Sequence, residues 1–252
     1  MRTLPIALLT AAVLAACGDS PAPTKPTATA AATATATAAS TAPPKPKGDE
    51  PLSLTVDEMG PYLQGRRASL KEQGGAEKLK AIVAELPVKG RDLELVVLKK
   101  AKVPDVVAAV RELGAAGAKS IKIKADARND LPEVLPTVPL RGLGEKPPAC
   151  SLVVMITAKL ETDVWSLGGG AAKMHKKGFA GPDLSNAGES IAKELKRCDS
   201  KYAFFAADSS LAWEHAHMAG GALLANDKDK KLAQLVLLTD EEPVPGRPIK
   251  GL

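Results

Sequence analysis

Between Pro104 and Lys124 the spacing of the apolar positions changes once. Val106, Val107, Val110 and Leu113 recur at helical spacing, and Ile121 and Ile123 then alternate with Lys122 and Lys124. The first period predicts an amphipathic helix, and the second predicts a strand with one buried and one wet face. Pro104 suits the first helical turn, where its missing N–H costs nothing, and Asp105 suits the positive helix end. Gly114 and Gly117 tolerate the left-handed backbone that stops helices. The stretch "VPDVVAAVRELGAAGAKSIKIKAD", residues 103–126, therefore reads as helix, turn and strand.

The same grammar extends upstream. "LSLTVDEMGPYLQGRRASL" carries two short β-like runs on either side of an expected turn at Gly60-Pro61. "AEKLKAIVAELP" places Leu79, Ile82, Val83 and Leu86 on one helical face and closes with Pro87. "DLELVVLKKAK" is an apolar strand leading into residue 103. Residues 51–126 are thus expected to be a β-β-α-β-α-β module, and right-handed crossovers place both helices on one face of its sheet.

The pattern is then restated over residues 150–242, which argues for an internal repeat. "LVVMITAKLETDVWSLGGG" repeats the hairpin, with Gly168-Gly169-Gly170 as a turn. "NAGESIAKELKRC" repeats the first helix, with Ile191 and Leu195 inward and Asn186 expected to cap it three residues before Glu189. "KYAFFAADSSLAWEHAHMAGGALL" repeats strand and second helix, and "LAQLVLLTD" gives the last strand. The loop "KMHKKGFAGPD" and the charged "NDKDKK" are extra to this module. Residues 127–149, "RNDLPEVLPTVPLRGLGEKPPA" and its neighbours, are expected as a Pro-rich linker, and 243–252 as a C-terminal tail. The predicted fold class is α+β, as two tandem modules.

The first fifty residues follow neither period. "MRTLPIALLTAAVLAAC" has a single charge, Arg2, and an apolar run short for a membrane span, so residues 1–17 are expected to be a signal peptide. It ends in Leu14-Ala15-Ala16-Cys17, which resembles the bacterial lipobox and implies acylation of Cys17. Two or three acyl chains suffice for stable membrane attachment. Residues 18–50 are almost wholly Ala, Thr, Pro, Ser and Gly with a few Lys, and cannot offset the ordering entropy of a fold, so they are expected to be a disordered tether. The chain is accordingly expected on the periplasmic side of a bacterial envelope. The absence of an Asp directly after Cys17 favours the outer membrane.

Aromatics make up only 3% of the chain, which demands an aliphatic core. The formal charge of +5 is spread among mixed signs, without a basic run interleaved with aromatics, so no nucleic-acid partner is expected. With Cys17 acylated, Cys150 and Cys198 remain as an even pair in an oxidising compartment. The sequence leaves open whether they form a disulfide or whether Cys198, on the apolar stripe of its helix, is a buried free thiol.

The hairpin positions Val56, Asp57, Gly60 and Gly65, followed by Val103, Val106, Val107, Ala116 and Gly117, resemble the periplasmic domain of the ExbD/TolR biopolymer-transport family. Lys99-Lys100 depart from that family's pattern, which has an Asp before the second helix; Asp208 supplies one in the second module. The resemblance implies dimerisation and contact with an envelope protein or peptidoglycan. It does not carry the family's motor step, because the apolar segment here holds no acid. Since these domains act as homodimers, two copies joined by a short linker have a high effective concentration for one another. The expected body is a monomer with an internal pseudo-dimer of modules.

Catalysis would have to be found in "DSSLAWEHAHM", which gathers Asp208, Ser209, Ser210, Glu214, His215 and His217. On a helix His215 and His217 point about 200° apart, unlike the i, i+4 pair of a zinc helix, so no metal is expected. Ser209 and Ser210 lack the strained elbow of a nucleophilic serine and suit helix capping. Gly168-Gly169-Gly170 before Lys173 lacks phosphate-loop spacing. His175, beside Lys176 and Lys177, reads as an exposed loop residue, and Lys122 and Lys124 as a solvated strand face. The expectation is a binding or scaffold protein without catalysis or cofactor. The alternative is a small periplasmic hydrolase or solute-binding lipoprotein with a pocket ringed by Asp208, His215 and His217.

Overall fold

The computed structural model describes residues 51–249; the expected signal peptide, Cys17 and the tether lie outside the described residues. All the described elements belong to one compact unit. The elements run β1 (Leu54–Asp57), β2 (Gly60–Leu63), β3 (Arg66–Arg67), α1 (Gly75–Ala84), β4 (Asp92–Val97), α2 (Val103–Ala115), β5 (Ser120–Ala125) and β6 (Val134–Val138). After a 3₁₀ turn at Leu140–Gly142 come β7 (Leu152–Ile156), β8 (Thr162–Ser166), β9 (Lys173–His175), α3 (Leu184–Arg197), β10 (Tyr202–Ala207), α4 (Trp213–Asn226) and β11 (Gln234–Leu237).

The strands form one mixed sheet in the order β3-β2-β1-β4-β5-β6-β11-β10-β7-β8-β9. Residues 54–125 and 152–237 share one element order, and β6 stands between the halves as the pivot of a palindromic sheet. β6 runs antiparallel to β5 and parallel to β11, so β5 and β11 run in opposite directions. Equal halves with opposed strand directions give the topology of a pseudo-two-fold normal to the sheet.

The helices follow from the periodicity. Leu79, Ile82 and Val83 of α1, and Val103, Val106, Val110 and Leu113 of α2, join one core with Ile191 of α3 and Ala216, Ala219 and Leu223 of α4. That core is continuous with Leu95, Ile121, Ile123, Leu135, Val154, Phe205 and Leu235 of the sheet, so all four helices among the described residues cover one face. Gly117, at φ 89°, supplies the left-handed residue behind α2. Asp105 does reach the first turn of α2, but its side chain is buried, and that burial pushes its pKa up.

The opposite face of the sheet is treated differently in the two halves. In the second half Val153, Met155, Trp165, Phe204, Val236 and Leu238 form a separate core, with Leu140, Leu143 and Ile249 packed on it. The final segment is tied down there: the Trp165 indole donates to the Arg247 carbonyl at 3.2 Å, and the Ile249 N–H donates to Leu167 O at 3.1 Å. In the first half Lys122 and Lys124 are exposed, together with parts of Tyr62 and Val96 and, on the adjoining β6, Val134.

Several expectations are corrected. The first hairpin turns at Glu58-Met59, because Asp57 accepts from the Met59 N–H at 2.8 Å; Gly60-Pro61 already belongs to β2. Gly60 has φ 106°, and a Cβ there would meet Ala68 O at 2.8 Å. The stretch 127–149 is not merely a linker. Leu135 is fully buried, and β6 pairs on both sides, with Lys122 opposite Pro136 on β5 and only Thr137 and Val138 laddered to β11. A proline lacks one ladder donor, yet it is tolerated where the partner's bonding skips it. The tail from 243 is a strap over the second half. The cap of α3 is Asp183, whose side chain accepts from the Asn186 N–H at 3.2 Å, so Asn186 lies inside the first turn.

Candidate functional site

β7, β10 and β11 are parallel, and their carboxyl ends open on the same edge of the sheet, where ligands of such sheets bind. Asp208 follows β10 there, its N–H donating to Ile156 O at 2.9 Å. Its carboxylate accepts the Ser210 N–H at 2.9 Å and also the Ser210 hydroxyl. The Ser210 donors, with the Ala158 main chain, hold the Asp208 carboxyl below its ordinary range.

Glu242 meets Asp208 from the segment that follows β11. Burial, then the charge of Asp208 and a hydrogen bond with it, push the Glu242 pKa up. The arrangement is a carboxyl–carboxylate contact in which Glu242 keeps its proton longer and Asp208 stays ionised. Glu242 and Pro243 form a wall between two depressions. One, of about 310 Å³, is lined by Val103, Val107, Ser209 and Thr239; the other, of about 560 Å³, by Met155, Lys159, Glu161 and Asp208.

The structure does not bring the expected cluster together. Ser209 and Ser210 do not cap α4, whose N-cap is Ala212 without a side-chain bond; Ser210 instead closes a turn on one oxygen of Asp208. The His215 Nδ1 lies 3.3 Å from the Ala212 carbonyl at the helix start. His217 is buried on α4, burial pushes its pKa down, and its Nε2 has no partner. The Glu133 main chain just ahead of β6 offsets part of that shift, so His217 looks toward β6 as a neutral imidazole. Neither histidine hydrogen-bonds Asp208. Among the described residues no group of three or more His, Cys, Asp or Glu is placed to hold a metal ion.

Sequence reasoning missed Glu242. The acidic run Asp240-Glu241-Glu242 directly after the last apolar strand was the available signal, since the carboxyl end of a parallel strand is where such side chains meet their neighbours' loops.

Cys150 and Cys198 form a disulfide with a Cα–Cα distance of 5.6 Å. It joins the turn before β7 to the C-cap of α3. The free-thiol alternative is thereby closed, although Cys198 is indeed buried. Beside it the Ser151 and Ser200 hydroxyls share a buried hydrogen bond of 2.8 Å. Gly168-Gly169-Gly170 is a turn as expected, with the Gly169 N–H donating to Ser166 O at 2.9 Å.

In comparisons with known proteins, no family model, no curated protein and no solved structure matches the chain.

Proposed function

We propose that the chain is a bacterial envelope lipoprotein, acylated at Cys17 and carried on the 18–50 tether. Its body works as a binding or scaffold module of the ExbD/TolR periplasmic type, present twice, and performs no catalysis. It acts on the periplasmic side, from the outer membrane, with an envelope protein or peptidoglycan as its partner.

The observation that carries this reading is the palindromic order of the sheet, in which two halves of like element order flank β6. A domain that ordinarily pairs with a second copy is served by such a chain, because each half buries its join against the other. Asp208, a candidate catalytic carboxylate with a serine beside it, has its Oδ1 bonded by both the N–H and the hydroxyl of Ser210 and is better suited to holding a turn than to taking a proton. Light scattering on residues 42–252 should report a monomer at micromolar concentration, and a stable dimer would sink the internal pairing. Acyl labelling of the full chain should be lost in Cys17→Ala; unchanged labelling would remove the anchor from the reading. Co-sedimentation with purified sacculi separates peptidoglycan from a protein partner.

A further inference from the structure

Phe204 and Phe205 are fully buried, whereas Phe179, the third phenylalanine of the chain, is exposed at 111%. It lies in "KMHKKGFAG", residues 173–181, which begins with β9, the strand at one edge of the sheet. Gly178 and Gly181 form a bridge of their own, with the Gly178 N–H donating to Gly181 O at 2.7 Å, and Gly181 has φ 131°. The turn is therefore closed by its own backbone, and Phe179 rides on its corner without a partner side chain. Met174, on β9, is also 55% exposed.

The charges within the turn itself are positive, and Asp183, which follows it and lies beside Gly178, is engaged with Asn186. Lys173, Lys176 and Lys177 fall within the stretch, and no acid occurs in it before Asp183. Lys173 is paired with Glu194 at 2.6 Å, while Lys176 and Lys177 are exposed and carry no ion pair among the described residues. The corresponding place in the first half, between β3 and α1, reads "ASLKEQGG", with a glutamate and no aromatic side chain. The basic, aromatic-tipped turn is thus an addition to one half of the repeat.

A single exposed apolar side chain needs no explanation. An aromatic side chain held at the corner of a tight turn, with two exposed lysines behind it that carry no ion pair among the described residues, combines the two attractions that hold a protein at a bilayer surface. The ring enters the boundary between headgroups and acyl chains, and the ammonium groups meet anionic headgroups.

We propose that residues 173–181 are a membrane contact, in which Phe179 inserts at headgroup depth in a bilayer bearing anionic lipid and Lys176 and Lys177 sit over the phosphates. The contact rests on the reading that the body works at an envelope membrane, and it uses residues remote in sequence from Cys17. It would hold this edge of the sheet against the surface instead of leaving the body at the end of its tether.

Residues 42–252 contain every described element and both cores. They lack Cys17, so acylation cannot contribute to their binding. This fragment should co-sediment with vesicles of phosphatidylcholine mixed with phosphatidylglycerol, and far less with phosphatidylcholine alone. Phe179→Ser should lower the partition coefficient at least about tenfold, the low end for burying a phenylalanine. Lys176→Glu with Lys177→Glu should abolish the preference for anionic vesicles, and added salt should weaken the wild-type binding. Position 179 packs against nothing, so an unchanged circular dichroism spectrum certifies that the variants are folded. Absence of binding to the anionic vesicles, or binding indifferent to Phe179→Ser, overturns the proposal; a turn that docks on a protein would give that result. Binding by the fragment together with unlabelled Cys17 in the full chain would uphold the contact and remove the anchor, and the reverse pair of results would do the opposite.

Discussion

Lys102 and Ala212, the N-cap residues of α2 and α4, pair with each other as an antiparallel bridge. The Val103 N–H donates to Leu211 O at 3.2 Å, and the Trp213 N–H donates to Ala101 O at 2.7 Å. The two residues hold equivalent places in the two halves, each at the start of the helix that follows the fourth or tenth strand. First-turn N–H groups of a helix have no partner within it, and here each helix finds one in the other half. The clasp adds a backbone join over the helical face to the join that β6 makes in the sheet.

A joined body should unfold as one. Trp213, the first residue of α4, is fully buried and lies edge-on to Phe205 with ring centroids 6.4 Å apart. Trp213→Ala in residues 42–252 is expected to cost roughly 3–5 kcal/mol, the range for truncating a buried aromatic. Urea unfolding followed by far-ultraviolet circular dichroism and by tryptophan fluorescence should give coincident midpoints in the parent. In the variant, where Trp165 is the remaining tryptophan, the midpoints should again coincide, at lower urea. Separate transitions would show that the halves are independent.

The disulfide closes a loop of sequence separation 48. In the chain-entropy model a loop of that length is worth about 4 kcal/mol. Replacing both Cys150 and Cys198 by Ser is expected to lower the urea midpoint without changing the fold, and dithiothreitol should do the same to the parent. Thiol counting on denatured residues 42–252 should find none free; two free thiols would exclude the bridge.

The element order was legible because Ile121 and Ile123 alternate with lysines and Val106, Val110 and Leu113 do not, and those periods reflect burial directly. β6 was not legible. Pro132, Pro136 and Pro139 punctuate its neighbourhood, and Pro136 sits inside "VLPTV" itself, where local propensity reads proline as a breaker. The pairing tolerates it because the ladder to β11 takes up only Thr137 and Val138. The expected site dissolved for a different reason. Asp208, His215 and His217 are close in sequence, but the turn at Ser210 and the start of α4 send them to the sheet edge, the helix start and the buried side near β6. Proximity along the chain puts residues on a shared loop, and only the packing decides which way each side chain faces.

The carboxyl pair predicts a pH dependence of definite sign. Glu242 has a raised pKa, so the folded state holds its proton after the unfolded state has lost it. Stability therefore falls as pH rises from the unfolded value, about 4.3, through the folded one. Asp208, held low, acts oppositely: its contribution is present above an unfolded value of about 3.9 and is lost as pH falls through the folded value. Glu242→Gln keeps an N–H donor for Asp208 and cannot ionise. The variant is expected to be more stable than the parent at pH 7, by less than about 1 kcal/mol because solvent screens the pair, and equal to it near pH 4. A variant less stable than the parent at neutral pH would refute the raised Glu242 pKa.

His217 should produce the opposite slope at higher pH. Its pKa is lowered by burial, so the unfolded chain takes up a proton that the folded chain refuses. Stability contributed by the neutral ring is fully present above the unfolded value, about 6.5, and is lost as pH falls from there toward the folded value, at no more than about 1.4 kcal/mol per pH unit for one proton. The Nε2 has no partner in the fold, so an apolar replacement leaves no lost hydrogen bond at that atom. His217→Leu, of similar apolar bulk against Glu133 and the adjoining β6, should therefore flatten the stability profile between about pH 7 and pH 5 while leaving the Glu242 effect at lower pH in place. Urea midpoints of parent and variant measured across that range decide it: parallel profiles would mean that the ring is not the group refusing the proton.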